Sequence, residues 1–286
     1  MLALLSAVLF GAMTVAMRFG LPARADAEVG ALVMTGIAAL VAFAAVALDP
    51  DAHPLARPRE LGLFALAGLL APGLSQVFFT RAVRDAGPSR SSVVVGSAPL
   101  FAVAIAIVAL GEPVRPPLVA GALLIVLAGV VLASESSRPP HVRLVGIAFA
   151  VITTLLFSTR DNLVRHFAGE AHTGSIAAAA AALGVAAVGM AGYVAVARRG
   201  RLRDSLERLR WRPLALSGLC FGVSYVLLFD AYYRARVSVV SPLVATESLW
   251  GVLLSAVFLR VEVVGIRLVL GAVLVVSGGV LIGIFR

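Results

Sequence analysis

Lysine is absent from this chain of 286 residues, cysteine occurs once, and charged residues make up only 14% of it. A soluble domain carries about a quarter charged residues, so the scarcity of charge, with 60% hydrophobic residues and a mean hydropathy of +1.02, argues against a water-soluble fold. Cys220 stands alone in an apolar run, which leaves no disulfide and no cysteine-based metal site. His53, His141, His166 and His172 sit in or near expected loops without ligand spacing, so no metal is expected. No glycine-rich phosphate cradle and no Walker motif occurs, which speaks against ATP-driven transport within the chain and against a nucleotide cofactor. The longest loop holds no nucleophile constellation; no catalytic residue is assigned, and the chain reads as something other than an enzyme. All 24 basic residues are arginine and the net charge is +9. These arginines cluster at the ends of apolar runs, so lipid headgroups and orientation account for them better than nucleic acid does.

What remains is a series of apolar runs of about 20 residues, the length that crosses about 30 Å of hydrocarbon. Helices are the expected spanning form, because a barrel needs short alternating segments. Ten spans are read: about 2–19, 28–48, 60–83 with a break near Pro72-Gly73, 91–110, 116–133, 142–167, 173–197, 213–233, 238–259 and 264–285. The first, lacking a basic leader, reads as a retained helix and not a signal peptide. The basic loop from Arg198 to Arg212 carries Leu202, Leu206, Leu209 and Trp211 and is expected to form a short interfacial helix on anionic lipid.

The chain also repeats itself. With a shift of 150, residues 217–284 lie on 67–134 without a gap, matching Arg84 to Arg234, Ser91 to Ser241, Glu112 to Glu262, and Gly121 and Gly129 to Gly271 and Gly279. Phe10-Gly11-Ala12 with Arg18 likewise resembles Phe157-Ser158-Thr159 with Arg165. Such spacing indicates a duplicated helical unit, with one five-helix repeat over 1–134 and another over 142–286. An odd number of spans per repeat predicts opposite insertion of the two copies, which characterises transporters with a midplane site. Sixteen arginines fall in the odd-numbered loops and eight in the even loops and C-terminus, which by the positive-inside rule would leave both termini outside.

Two five-helix units with Phe-Gly or Phe-Ser openings, Pro99 within the fourth span, Gly111-Glu112 in the following loop and then Gly121…Gly129 resemble the EamA family of the drug/metabolite transporter superfamily. The resemblance covers nearly the whole chain. The second copy departs from it at Val261-Glu262 and at Leu249, which stands where Pro99 would. The resemblance implies a secondary active transporter of a bacterial inner membrane, an exporter of amino acids or drug-like metabolites. It also implies cytoplasmic termini, opposite to the arginine count. A lipid-handling protein and a non-transporting helper subunit are the alternative readings; the expected partners are a small molecule and membrane lipid, with the chain a monomer or homodimer.

Glu247 is the sharpest candidate. It falls about ten residues from either end of the ninth span, where an ionised carboxylate is costly and must face protein or water. It reads as a site for a substrate cation or a coupling proton; the plainer alternative is a protonated acid bonded to a neighbouring helix. Trp250, at i+3, shares its face, and Ser97 is its repeat counterpart. Tyr225 and Ser75-Gln76 are mid-helix polar groups at matching positions. Glu247, Trp250, Tyr225, Gln76 and Ser97 are the expected substrate contacts. Arg160, Asp161 and Asn162 form a candidate cavity mouth or gate near the end of the sixth span, with Thr154, Ser158 and Asp161 on one face. Asp161–Arg165, Arg81–Asp85 and Asp230–Arg234 are expected i,i+4 ion pairs. Glu112 and Glu262 are expected helix caps, and the Gly279-x-x-x-Gly283 face is expected to pack closely.

Overall fold

The computed structural model describes residues 1–22, 25–49, 58–101, 104–105, 116–133, 144–198, 201–235, 237–259 and 265–285. Glu112, Glu262, His53, His141 and the expected linker at 134–141 lie outside the described residues. The described residues are predominantly helical, and none of them is in a strand. The helices are α1 (Leu2–Gly20), α2 (Ala27–Leu48), α3 (Pro58–Gly68), α4 (Ser75–Ala86), α5 (Pro88–Val95), α6 (Pro116–Ala133), α7 (Leu144–Glu170), α8 (Ser175–Ala197), α9 (Leu202–Glu207), α10 (Trp211–Arg234), α11 (Val237–Ala245), α12 (Glu247–Phe258) and α13 (Ile266–Phe285). Seven helical stretches among the described residues are long and apolar enough to cross a membrane, α3 and α4 counting as one.

Each helix satisfies its own backbone, as lipid requires. The local signals are visible at the ends. Asp26 caps α2 by accepting from the backbone N–H groups of Glu28 and Val29 at 3.0 and 3.4 Å. Pro72 cannot donate to the helical ladder, and α3 passes into α4 through a π-helical segment, Leu69–Leu74, in which Ala71 is extended (φ −146°, ψ 117°). The hydroxyl of Tyr225 donates to the Ala71 carbonyl at 2.7 Å, so this kink is braced by α10. The short helix expected in the basic loop is α9, with Arg203 Nε 3.2 Å from Glu207 Oε1.

Packing between elements is reciprocal. α1 lies along α10, and α4 lies along α7; α5 touches α7 as α11 touches α1; α2 meets α8, and α6 meets α13. Exchanging the two halves of the chain turns this pattern into itself. Phe10 and Phe157, which occupy corresponding positions, meet edge to face with ring centroids 6.2 Å apart. They belong to an aromatic core with Phe79, Phe221, Tyr225 and Phe229. One arginine ties each half internally. Arg18 at the end of α1 donates to the Arg84 carbonyl in the last turn of α4 at 2.9 Å. Arg165 of α7 donates to the Tyr232 carbonyl near the end of α10 at 3.0 Å.

Small residues set the α6–α13 contact. A Cβ on Gly121 would stand 2.8 Å from the Gly278 carbonyl oxygen, and one on Gly278 would stand 2.6 Å from that of Gly121. The close approach therefore uses Gly278, one residue round the helix from the expected Gly279, which faces Pro99 instead.

Candidate substrate site

The site is built where two helices stop and restart. α5 ends at Val95, a turn follows at Gly96-Ser97, and helix resumes over 98–101. α11 ends at Ala245, Thr246 forms the joint, and α12 begins at Glu247. In the 150-residue repeat, Ser97 and Glu247 are counterparts, so both interruptions fall at one repeat position. Interrupted helices break the regular ladder, and hydroxyls add to the tighter backbone bonds that replace it, such as Ser97 N–H to the Val94 carbonyl at 3.0 Å and Thr246 N–H to that of Leu243 at 3.3 Å. Ser97 donates to the Val94 carbonyl at 2.6 Å, Thr154 of α7 to the same carbonyl at 3.3 Å, and Ser158 of α7 to the Ala98 carbonyl at 3.0 Å. At the second interruption Thr246 donates to Leu243 O at 2.6 Å and Ser248 to Ala245 O at 2.8 Å.

Between the two interruptions and α7 lies a cavity of about 20 Å³, lined by Phe10, Phe157, Arg160, Asp161, Ser241 and Glu247 with aliphatic neighbours including Val95, Ala98 and Leu228. That volume holds about one water. Arg160, Asp161 and Glu247 are only 2%, 7% and 7% exposed. Arg160 Nε lies 2.8 Å from Asp161 Oδ1, and Glu247 interacts electrostatically with both. The guanidinium lies over both the Phe157 and the Tyr225 ring, with its central carbon 5.1 Å from each ring centroid. A desolvated cation–aromatic contact contributes about 2 kcal/mol, against a burial cost of several kcal/mol per ion. The Arg160–Asp161 pair is therefore expensive in isolation, and with Glu247 ionised the cluster of three carries two negative charges against one positive.

Of the expected substrate contacts, the structure brings Glu247 into the cavity and sets Tyr225 against Arg160. The others lie elsewhere. Trp250 is 37% exposed and outside the cavity. A Cβ on Gly11 would be 2.8 Å from Trp250 Cβ and 3.0 Å from Gly251 N, so α1 and α12 leave no space for the indole and it turns outward. Gln76 is fully buried in α4 with neither amide atom hydrogen-bonded, and it does not line the cavity. Ser97 points its hydroxyl back at its own turn. Asn162 is spent on the Ser158 carbonyl, 2.8 Å away.

Arg160 and Asp161 are lining groups of the cavity and not a rim near a helix end: α7 runs on to Glu170, which puts Arg160 ten residues, or about 15 Å, inside it. Two expected ion pairs are replaced. Asp161 pairs with Arg160, not Arg165, whose guanidinium caps α10. Arg81 pairs with the buried Glu28 of α2, while Asp85 is held by Arg84 at 2.9 Å. Asp230–Arg234 forms as expected, at 2.9 Å. Tyr232, which interacts electrostatically with the Arg160–Asp161 pair, and the Glu28–Arg81–Arg198 cluster went unread in the sequence. Nothing in local spacing marks them, because their partners lie on other helices. Among the described residues, no group of three or more His, Cys, Asp or Glu side chains is placed to hold a metal.

A bundle of apolar helices with charge confined to its interior and its ends is an integral membrane protein. The profile of the EamA-like transporter family matches residues 1–134 and 144–284, one copy after the other, and the chain belongs to that family. A solved structure described only as "Crystal structure of protein" is similar in fold, with a TM-score of 0.62 and 21% identity over 98% of this chain and 94% of that one. No curated protein matches the sequence.

Proposed function

We propose that the protein is a secondary active transporter that exports small amphipathic metabolites, such as amino acids or drug-like compounds, from a bacterial cell by alternating access. Ten spans in two inverted five-helix repeats cross the inner membrane, and the cavity at the two helix interruptions is the substrate site in a closed state. The observation that carries this reading is the buried trio Arg160, Asp161 and Glu247, held where the halves of a duplicated bundle meet. Charged groups so deep in a membrane bundle mark a translocation pathway, and interrupted helices at the repeat interface accompany such sites. The reciprocal packing of the halves supports the inverted arrangement.

Arg160 offers a cation to an anionic group of the substrate, and Glu247 and Asp161 offer carboxylates to a cationic one. Because substrate and proton satisfy the same missing positive charge, each displaces the other at Glu247, and exchange of the two couples export to proton entry. Proteoliposomes under an imposed pH gradient test this. Substrate-dependent proton movement is expected in the native protein and is expected to vanish in Glu247→Gln, with the melting temperature kept. Undiminished, pH-independent transport by that variant would remove Glu247 from the mechanism.

A further inference from the structure

Away from this site, at the end of the bundle formed by the start of α2 and the ends of α4 and α8, lies a polar basin of about 410 Å³. Four arginines line it, Arg81, Arg84, Arg198 and Arg208, with two carboxylates, Asp26 and Glu28. The lining is thus positive by two, and by one after counting Asp85, which Arg84 holds beside it. Arg81 and Arg198 pair with Glu28, and Arg198 Nε lies 2.7 Å from Asp26 Oδ2. A guanidinium has five N–H donors, and these pairs engage at most two per arginine. The side chains of Arg81, Arg84 and Arg198 stay 29%, 24% and 35% exposed.

Arg81 also lines a second hollow of about 320 Å³, and this one is apolar. It runs between the π-helical segment and α8, past Leu69, Gly73, Leu74, Val77, Met190 and Tyr193. The irregular backbone at Pro72-Gly73 and the small residues Ala186 and Gly189 leave the hollow open. Leu69, Leu74 and Tyr193 are exposed on the outer surface of the bundle. Arg81 is five residues from the end of α4 and Tyr193 four from the end of α8, or about 6–8 Å below the helix ends. That is the depth of the headgroup–acyl boundary, where tyrosine and arginine concentrate. Tyr193 joins the two hollows, its hydroxyl 3.4 Å from Glu28 Oε1.

A cationic basin at headgroup level, continuous through Arg81 with an apolar groove running toward the membrane centre, has the two halves of one amphiphile's chemistry. We propose that this corner binds a single anionic phospholipid, with its phosphate among Arg81, Arg84, Arg198 and Arg208 and one acyl chain along the groove against Val77 and Leu74. Such a lipid bridges α2, α4 and α8, which come from both halves of the chain.

The test is the melting temperature of the purified protein in detergent, titrated with phosphatidylglycerol, phosphatidylcholine or inorganic phosphate. Phosphatidylglycerol is expected to raise it saturably, with an apparent affinity roughly tenfold above that of phosphatidylcholine, the scale of one to two arginine–headgroup contacts. Inorganic phosphate at the same concentration is expected to leave it unchanged. Arg208→Gln, at an exposed position that does not disturb the fold, weakens the phosphatidylglycerol response severalfold, and Val77→Phe, which fills the groove, does the same. Equal responses to both lipids, or a phosphatidylglycerol response untouched by both variants, would overturn the proposal. So would a phosphate response equal to that of phosphatidylglycerol and indifferent to Val77→Phe, which identifies a small-anion site.

Discussion

The two helix interruptions occupy one repeat position and are secured in opposite ways. At the first, α7 reaches across with Thr154 and Ser158 and bonds the carbonyls of Val94 and Ala98. At the second, the element in the corresponding place is α1, and where α7 carries Ser158 it carries Gly11, whose backbone abuts Trp250 and Gly251. One joint is bonded by hydroxyls of the helix beside it; the other spends its own hydroxyls, Thr246 and Ser248, within its own turn and meets α1 by contact. The joint held by contact presents the acid Glu247, and the bonded joint presents the neutral Ser97. A duplicated scaffold has thus specialised, with charge on one side only and next to the Arg160–Asp161 pair.

Exchanging the two joint residues, Ser97→Glu with Glu247→Ser, breaks the comparison most severely. A carboxylate moved to the bonded joint does not restore the charge set around Arg160. Transport in proteoliposomes is expected to fall roughly a hundredfold, the scale of uncoupling a buried charge from its partners. Gly11→Val attacks the close-packed joint alone. Its Cβ meets Trp250 Cβ and the Gly251 backbone, and overpacking of this kind costs about 3 kcal/mol, read as a drop in melting temperature. Thr154→Val combined with Ser158→Ala attacks the bonded joint alone, at about 1–2 kcal/mol for two interhelical hydrogen bonds; an equal loss from Ser158→Ala in a Thr154→Val background and in the native protein would show the two act independently. The smallest effect is expected of Tyr225→Phe, which loses the bond to the Ala71 carbonyl at about 0.6 kcal/mol but keeps the ring against Arg160, read as a slight drop in melting temperature.

The helices were legible because apolar run length is a one-dimensional property. The kink at Pro72 was legible because proline removes a named donor; at Val95 the same signal is present, since Pro99 has no N–H for the Val95 carbonyl, but the apolar run over 91–110 reads as one unbroken span. The joint at Thr246 carries no such mark. There Thr246 and Ser248 draw carbonyls with their side chains, and a hydroxyl in a helix competes for the backbone only when tertiary packing allows it. The charges divide the same way. Glu247 and the run Arg160-Asp161-Asn162 stand out in any apolar helix. Which arginine meets which acid did not follow from i,i+4 spacing, because Glu28 and the Tyr232 carbonyl, brought in from other helices, outcompete the local partner. Trp250 failed as a cavity residue for a related reason: sharing a face with Glu247 says nothing of how closely α1 presses on that face.

Arg18 and Arg165 fasten the first and third spans of their own halves at the ends of α4 and α10. In the proposed inverted arrangement these fasteners would sit at opposite mouths of the molecule, two latches of one design on two doors. Opening either door would then cost nearly the same, so neither resting state would trap the machine, and a modest gradient would be enough to set the direction in which it turns.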